Sequence, residues 1–436
     1  MKLFTFRGGV HPPENKAQTE NKVIEVFSVS KTLYVPMLQH IGAPLEPNVK
    51  VGDRVLKGQK IADSEAFVSS PVHSPVSGVV KKIEVMPFPL SGKVKTVVIE
   101  NDEKEEWAEL TKIENWEEAS REELLAMVRE KGIVGVGGAC FPTHIKLNPP
   151  KDVTIDVLLL NGAECEPYLN SDNRLMIEEP QKIVEGIKII NKILGINRAV
   201  IGIEDNKTEA IETMIKACEG TGIEVAMLKT QYPQGGEKQL IKAVLDRDVP
   251  SGGLPSAVGV VVQNTGTAGA IYEGLVEGKP LIEKIVTVSG KAVERPSNLK
   301  VRIGTMFSEI LDYVGTNRES MDKLVMGGPM MGMAQHTEKV PVVKGTSGLL
   351  ALTREETNPY KPKSCIVCGK CIKACPVNLL PNMYAKLARF KQWEEMGKNH
   401  LMDCIECGSC SYICPANRPL TEAIKIGKAK LRTMKK

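Results

Sequence analysis

Eight of the eleven cysteines fall in two short blocks near the C-terminus. The first reads Cys365-Ile-Val-Cys368-Gly-Lys-Cys371-Ile-Lys-Ala-Cys375-Pro376, the second Cys404-Ile-Glu-Cys407-Gly-Ser-Cys410-Ser-Tyr-Ile-Cys414-Pro415. Both are C-x2-C-x2-C-x3-C-P, the run that binds [4Fe–4S] clusters in bacterial ferredoxins. Two-residue gaps let one tight loop offer three thiolates to three corners of a cube. Gly369 and Gly408 suit the positive φ such a loop takes. The last cysteine of each run lies too far round to join its neighbours, so it ligates the other cluster. The spacing therefore assigns Cys365, Cys368, Cys371 and Cys414 to one cluster, and Cys404, Cys407, Cys410 and Cys375 to a second. A zinc site built from four cysteines would explain neither the third cysteine nor the Cys-Pro ending. Of the other three cysteines, Cys218 reads as a buried structural thiol.

Two further segments carry chemical groups. Residues 135–146 (Gly-Val-Gly-Gly-Ala-Cys-Phe-Pro-Thr-His-Ile-Lys) are glycine-rich and end in Lys146. Glycines let a backbone approach a phosphate or a flat ring, and a lysine can neutralise a phosphate. An ordinary turn is the competing reading, because the segment is not G-x-G-x-x-G and no clear strand precedes it. Residues 155–160 then read as a buried strand ending in Asn161-Gly-Ala-Glu164-Cys-Glu166-Pro167-Tyr168. Carboxylates at the C-terminal edge of a strand sit where α/β sheets keep their ligands.

The elements that must position these groups follow from periodicity. Helices are expected over 121–131, 180–194 and 207–218, and strands over 199–203, 224–228 and 259–262, with another helix opening after Tyr232-Pro-Gln-Gly235-Gly236-Glu237. Strand–helix alternation at this rhythm means an α/β domain with helices flanking a sheet. Between the cysteine blocks, residues 381–398 read as one helix stopped by Gly397, with Met383, Leu387, Phe390 and Trp393 as its apolar stripe; another helix spans 420–431. Residues 37–84 alternate short β-runs with Gly/Asp turns, an all-β module. Residues 285–289 and 299–303 are strands, 306–314 a helix, and 326–333 (Met-Gly-Gly-Pro-Met-Met-Gly-Met) either a tight turn or a methionine-lined contact surface.

Composition narrows the partners. With 57 basic against 53 acidic residues, the net charge of +4 is too near balance to announce nucleic acid, and 4% aromatic content leaves little for base stacking. The longest apolar runs fall far short of the roughly 20 residues a spanning helix needs, and residues 1–13 lack a signal-peptide core. A cytoplasmic chain is expected, where structural disulfides are rare.

The segments at 135–146, 161–167, 232–237 and 264–267, in that order, resemble the G-R-G-G-A-G-F-P-T-G-x-K, N-A-D-E-x-E-P, Y-x-x-G-E-E and N-V-E-T segments of the 51-kDa flavin-bearing subunit family of respiratory complex I. The resemblance implies FMN bound by Gly135, Gly137, Lys146, Asn161, Glu164, Gly235, Asn264 and Thr267. It implies NADH recognised by Phe141, Glu166 and Glu237, the carboxylates Glu164, Glu166 and Glu237 orienting cofactors at the catalytic centre rather than shuttling protons. Val136, Cys140, His144, Ala163 and Gly236 depart from that pattern. Adding the tandem cysteine blocks and the opening Phe6-Arg-Gly-Gly-Val-His-Pro-Pro13, the whole layout resembles the RnfC family, peripheral subunits of ion-translocating Rnf electron-transport complexes.

That resemblance implies a multidomain α/β chain. Residues 1–102 would hold an N-terminal segment and a lipoyl-like all-β module, whose hairpin tip (64–69) lacks the carrier lysine and so serves structure or docking. Residues 103–283 would form the FMN/NADH-binding α/β domain, 284–352 a β-grasp (soluble-ligand-binding-like) domain, and 353–436 an α-helical ferredoxin-type domain with two [4Fe–4S] clusters. It also implies an NAD:ferredoxin oxidoreductase subunit held peripherally, without a transmembrane helix, on the cytoplasmic face of the bacterial membrane. Its partners would be the other Rnf-type subunits and, through them, ferredoxin. A cobalamin reductase of similar domain order and a flavin-free iron–sulfur scaffold are the rival classes.

Overall fold

The chain begins by crossing the molecule before it builds a unit of its own. The computed structural model describes residues 2–90, 92–357 and 361–434. Phe4 and Val10 bridge to Leu228 and Tyr232, and β1 (Ile24–Val26) pairs in parallel with a strand far later in the chain, Ile24 opposite Asn298. Pro12 and Pro13 hold this stretch extended. The first 26 residues thus lie on the α/β and β-grasp units, not on the β module that follows them.

The β module consists of β2 (Thr32–Pro36), β3 (Glu46–Pro47), β4 (Arg54–Val55), β5 (Lys60–Asp63), β6 (Val72–His73), β7 (Gly78–Pro87) and β8 (Lys93–Asn101), in two sheets ordered β2-β8-β7-β4 and β3-β5-β6. Alternation buries Leu33 and Val35 of β2 against Val55, Ile61, Val80, Val97 and Ile99. At the lysine-free tip, the Ser69 hydroxyl donates to the Ser64 and Ala66 carbonyls at 3.0 and 2.7 Å. Arg129 on α1 (Arg121–Glu130) binds Asp63 at 2.8 Å and so ties the tip to the next unit.

After α1 and the short α2 (Thr143–Lys146) come β9 (Val157–Gly162), α3 (Ser171–Glu178), α4 (Pro180–Leu194), β10 (Ala199–Glu204), α5 (Thr208–Ala217), β11 (Glu224–Leu228), α6 (Glu237–Leu245), β12 (Val260–Asn264) and α7 (Thr265–Leu275). The four strands are parallel in the order β11-β10-β9-β12. Their apolar runs are buried on both faces, as helix-covered parallel sheets require.

The third unit holds β13 (Glu283–Ser289), β14 (Ser297–Arg302), α8 (Phe307–Tyr313), β15 (Met321–Met326), β16 (Met333–Gln335), β17 (Gly348–Thr353) and α9 (Arg354–Thr357). Its sheet is completed by β1 in the order β1-β14-β13-β17-β15-β16. Residues 327–332 form the turn joining β15 to β16.

The last unit is helical: α10 (Lys370–Lys373), α11 (Pro381–Arg389), α12 (Trp393–Lys398), α13 (Ser409–Tyr412) and α14 (Leu420–Met434). The single helix expected over 381–398 is two, because Lys391 turns left-handed at φ 55°. Phe390 leaves the stripe and stands exposed, while Met396 and Leu401 fill the core instead. Gly397 is no stop signal: it sits inside α12, where a Cβ would come 3.2 Å from Leu431 of α14.

Close packing of α4 on α7 also depends on a glycine, since a Cβ at Gly186 would overlap the Ala268 carbonyl. Gly186→Ala should cost about 1–3 kcal/mol, the range for an overpacked core. Thermal unfolding checks this, and an unchanged midpoint would contradict the packing.

Candidate flavin and iron–sulfur site

Strand order alone locates a crevice. From β9 the chain winds to β10 and β11, then crosses back to place β12 on the other side of β9, so the β9/β12 boundary is a switch point. Ligands of open α/β sheets bind outside the carboxyl ends of strands at such a point. Those ends are Asn161 and Asn264, which face one another in register.

Four of the sequence segments meet there. The Asn161 amide donates to the Gly235 carbonyl at 2.8 Å, and its oxygen accepts from Ala163 N–H at 3.1 Å. Asn264 caps α7 by accepting from Gly266 N–H at 2.9 Å. The glycine loop closes over these groups. Val136 N–H donates to the Thr267 hydroxyl at 3.1 Å, and Gly135 N–H to the Phe141 carbonyl at 2.9 Å. A Cβ at Gly137 would sit 3.3 Å from that of Asn264, whereas Gly138, at φ 112°, has open space on its Cβ side. Lys146, at the end of α2, forms an ion pair with Glu237, the first residue of α6; both remain partly exposed at the rim.

The three carboxylates are not gathered into one cluster. Glu164 accepts from the Ser171 hydroxyl and from Asp172 and Asn173 N–H at 3.1, 2.8 and 3.0 Å, which satisfies the N-terminus of α3. Glu166 accepts from Met330 and Met331 N–H at 3.0 and 2.8 Å and so anchors the 327–332 turn. Burial pushes the Glu166 carboxyl up to about 7, against the pull of those amides. In this structure Glu164 and Glu166 are held by protein amides, while Glu237 stands at the rim.

In the helical unit, one pocket is lined by Cys375, Cys404, Cys407 and Cys410, three from the second block and one from the first. That is the crossed set expected from the spacing. Among the described residues no three His, Cys, Asp or Glu side chains converge tightly enough for a single ion, so the four sulfurs line a wider space. Burial pushes the Cys404 and Cys410 thiols up to about 11 and about 12, and Cys375 and Cys407 add to both rises. Of the other set, Cys371 and Cys414 are near enough to interact, while Cys365 and Cys368 are exposed on a loop. Gly369 and Gly408 take φ 72° and 81°. These residues fit cluster ligation by donor type, backbone form and shared pocket.

The pocket of the second set is built onto the sheet edge. The Tyr232 hydroxyl donates to the Cys407 carbonyl at 2.8 Å, and Val10, Tyr232, Ala374 and Cys407 pack as one apolar cluster with Cys165 and Met330 against it. Gly9 N–H donates to the Ala374 carbonyl at 2.9 Å. Burial drives the Tyr232 phenol far upward, which keeps it a donor.

Sequence reasoning missed Lys16, Asp172 and Lys284. Lys16 donates to the carbonyls of Glu164 and Glu166 at 2.9 and 3.1 Å and to that of Leu169, pinning the acidic turn from the N-terminal segment. Nothing in its spacing marks it. Lys284 did leave a signal, since strand parity places it on the same face as Val286 and Val288.

A doubly wound crevice roofed by a glycine loop, packed on a helical unit that collects cysteines, defines a flavoprotein-type electron-transfer chain. Residues 4–104 match the RnfC barrel sandwich hybrid domain, 128–273 the Nuo51 FMN-binding domain, 285–334 the SLBB domain and 364–418 the 4Fe-4S dicluster domain. A subunit of the proton-translocating ferredoxin:NAD(+) oxidoreductase complex of Clostridium ljungdahlii is 50% identical over 394 residues, 90% of this chain and 86% of that one. Its counterpart in the Na(+)-translocating ferredoxin:NAD(+) oxidoreductase complex of Acetobacterium woodii is 44% identical over 433 residues, 99% of this chain and 98% of that one. An NAD+-reducing [NiFe]-hydrogenase in its air-oxidized state is similar in fold alone, with TM-score 0.50 and 17% identity over 70% of this chain and 63% of that chain. The chain belongs to the RnfC family.

Cys375→Ala should remove the cluster of the Cys404 block, although Cys375 lies in the other run. Iron content should fall by roughly half, and electron paramagnetic resonance should show which cluster is lost. Loss of the other cluster alone would overturn the crossed assignment.

Proposed function

We propose that this chain is the electron-transfer subunit of a membrane-bound, ion-translocating NAD:ferredoxin oxidoreductase complex, peripheral on the cytoplasmic face, passing electrons between NAD(H), FMN and two [4Fe–4S] clusters. The observation that carries the reading is the direct packing of the Cys407 loop on Tyr232, in the segment whose Gly235 meets Asn161 of the crevice. Among the described residues no helix is long and apolar enough to cross a membrane, so ion movement falls to other subunits of the complex.

The residues fit FMN on one structural ground above all: the open face at Gly138, beside Gly135 and Val136, whose amides and carbonyls are fixed by Phe141, Cys140, Thr267 and Lys284. Gly135, Gly137, Asn161, Gly235, Asn264 and Thr267 would shape its bed through the contacts above. Lys146, freed from Glu237, would neutralise its phosphate. Phe141 and Glu237 would meet the nicotinamide, with Glu164 and Glu166 shaping the bed indirectly through α3 and the 327–332 turn. When bound, the flavin supplies the exchange between hydride pairs and single electrons. The chain contributes orientation and exclusion of water; no side chain here needs to move a proton.

Cofactor content and NADH-to-dye activity after anaerobic purification test this. Iron, acid-labile sulfide and FMN together with dye reduction are expected. Zinc in place of iron would end the redox reading, and iron without flavin or activity would leave a scaffold. Rapid corrinoid reduction by the isolated chain would point to the cobalamin-reductase class. Lys146→Ala should weaken FMN binding by ~1.5–3 kcal/mol through loss of a charge-assisted bond, read by fluorescence titration; equal affinity would move the phosphate elsewhere.

A further inference from the structure

We propose that Lys284 and Asp172 are positioning residues for the flavin loop, fixing its backbone and setting the charge beside it from two elements outside the loop. The inference rests on the flavin reading above. Lys284 is the second residue of β13, in the β-grasp unit, and Asp172 the second residue of α3.

Lys284 is 8% exposed, and its ammonium donates to the Val136 carbonyl at 2.9 Å. Val136 stands between Gly135 and Gly137, and its N–H is already held by Thr267. Both polar groups of this residue are therefore fixed, one from α7 and one from β13. Asp172 works on the facing side of the crevice. Its carboxylate accepts from the Asn264 amide nitrogen at 2.6 Å, so the side chain against which Gly137 packs is pinned as well. The two groups attract one another, with Glu164 and the Cys140 thiol as the other titratable neighbours of the ammonium.

Structure alone does not ask for a lysine at this place. Lys284 shares its strand face with Val286 and Val288, and an apolar side chain of similar length would pack there without the cost of burying a charge. Its hydrogen bond to a neutral carbonyl is the one its ammonium makes among the described residues. What a methionine could not supply is positive charge beside the loop.

Flavin-stripped protein, cluster content verified in each sample, would be titrated with FMN, and the midpoint potential of the bound flavin measured. Lys284→Met should weaken FMN binding roughly tenfold, the factor that about 1.4 kcal/mol represents, and Lys284→Arg should restore most of it. Removing the cation should shift the midpoint potential downward, and Asp172→Asn should shift it upward. Simple loosening of the fold would not move the two in opposite directions. Unchanged affinity and potential in Lys284→Met, with normal uptake by the wild type, would sink this inference alone. Failure of the wild type to bind FMN would sink the flavin reading and this inference with it.

Discussion

The seating of the Cys407 loop on the carboxyl edge of the parallel sheet is the contact on which the rest of the molecule depends. Single electrons pass usefully only over short distances, so a flavin crevice and a cysteine pocket in separate units serve no purpose until they are held together. A hydroxyl-to-carbonyl bond from Tyr232, bonds from Gln239 to the Pro376 carbonyl and from Ser251 and Gly252 to Asp403, and a small apolar cluster hold them. The N-terminal segment reinforces the joint from both sides: Val10 pairs with Tyr232 while Gly9 pairs with Ala374 beside Cys375. Glu166 adds a third tie through the Met330 turn, whose carbonyl lies so near Gly408 that a Cβ there would come within 2.9 Å. The opposite end of the helical unit, with Cys365 and Cys368, is left exposed. Its geometry gives the cysteine unit an inner side toward the sheet and an exposed outer side.

Buried ammonium groups join the units alongside apolar clusters such as Tyr168 and Leu169 with Val325, Leu350 and Leu352. Lys16, Lys284 and Lys344 are each nearly buried, and each donates to backbone carbonyls of a segment distant in sequence. Lys344 spans the Pro71 and Gly132 carbonyls at 2.8 and 2.6 Å, where β module and α/β unit meet, and burial brings it down to about 7. A buried charge is tolerated when its donors are satisfied, and removing its partners is costly. Such straps, with their fixed donor directions, narrow the relative placement of the joined segments further than apolar contact alone.

Much of this was legible because local periodicity and motif spacing survive folding. The helix over 180–194 and the strand over 224–228 stand at the expected residues, since each has one buried face and clear punctuation. The pocket of Cys375 with Cys404, Cys407 and Cys410 was readable from spacing, because loop geometry fixes which sulfurs share a space. What could not be read were non-local commitments. Phe390 fits a helical stripe, yet a left-handed turn at Lys391 swings the chain and leaves it in solvent. Glu164 and Glu166 also accept from amides of α3 and of the 330–331 turn, contacts that no local spacing announces. Lys16 announces nothing until the acidic turn folds around it.

Crossed ligation has a consequence for how the helical unit forms. If each cluster draws three sulfurs from one block and one from the other, the chain between the blocks, α11 and α12, is a loop closed at both ends. Closing such a loop removes conformational freedom from the unfolded chain, and metal binding becomes part of the folding free energy. The apolar core here is small, with Tyr384, Met396, Leu401, Leu420 and Ile424 at its centre, and several cysteines belong to it. On the inner side Cys375, Cys407 and Cys410 are buried in this core, so ligation there would be coupled to packing. On the outer side Cys365 and Cys368 contribute little packing of their own.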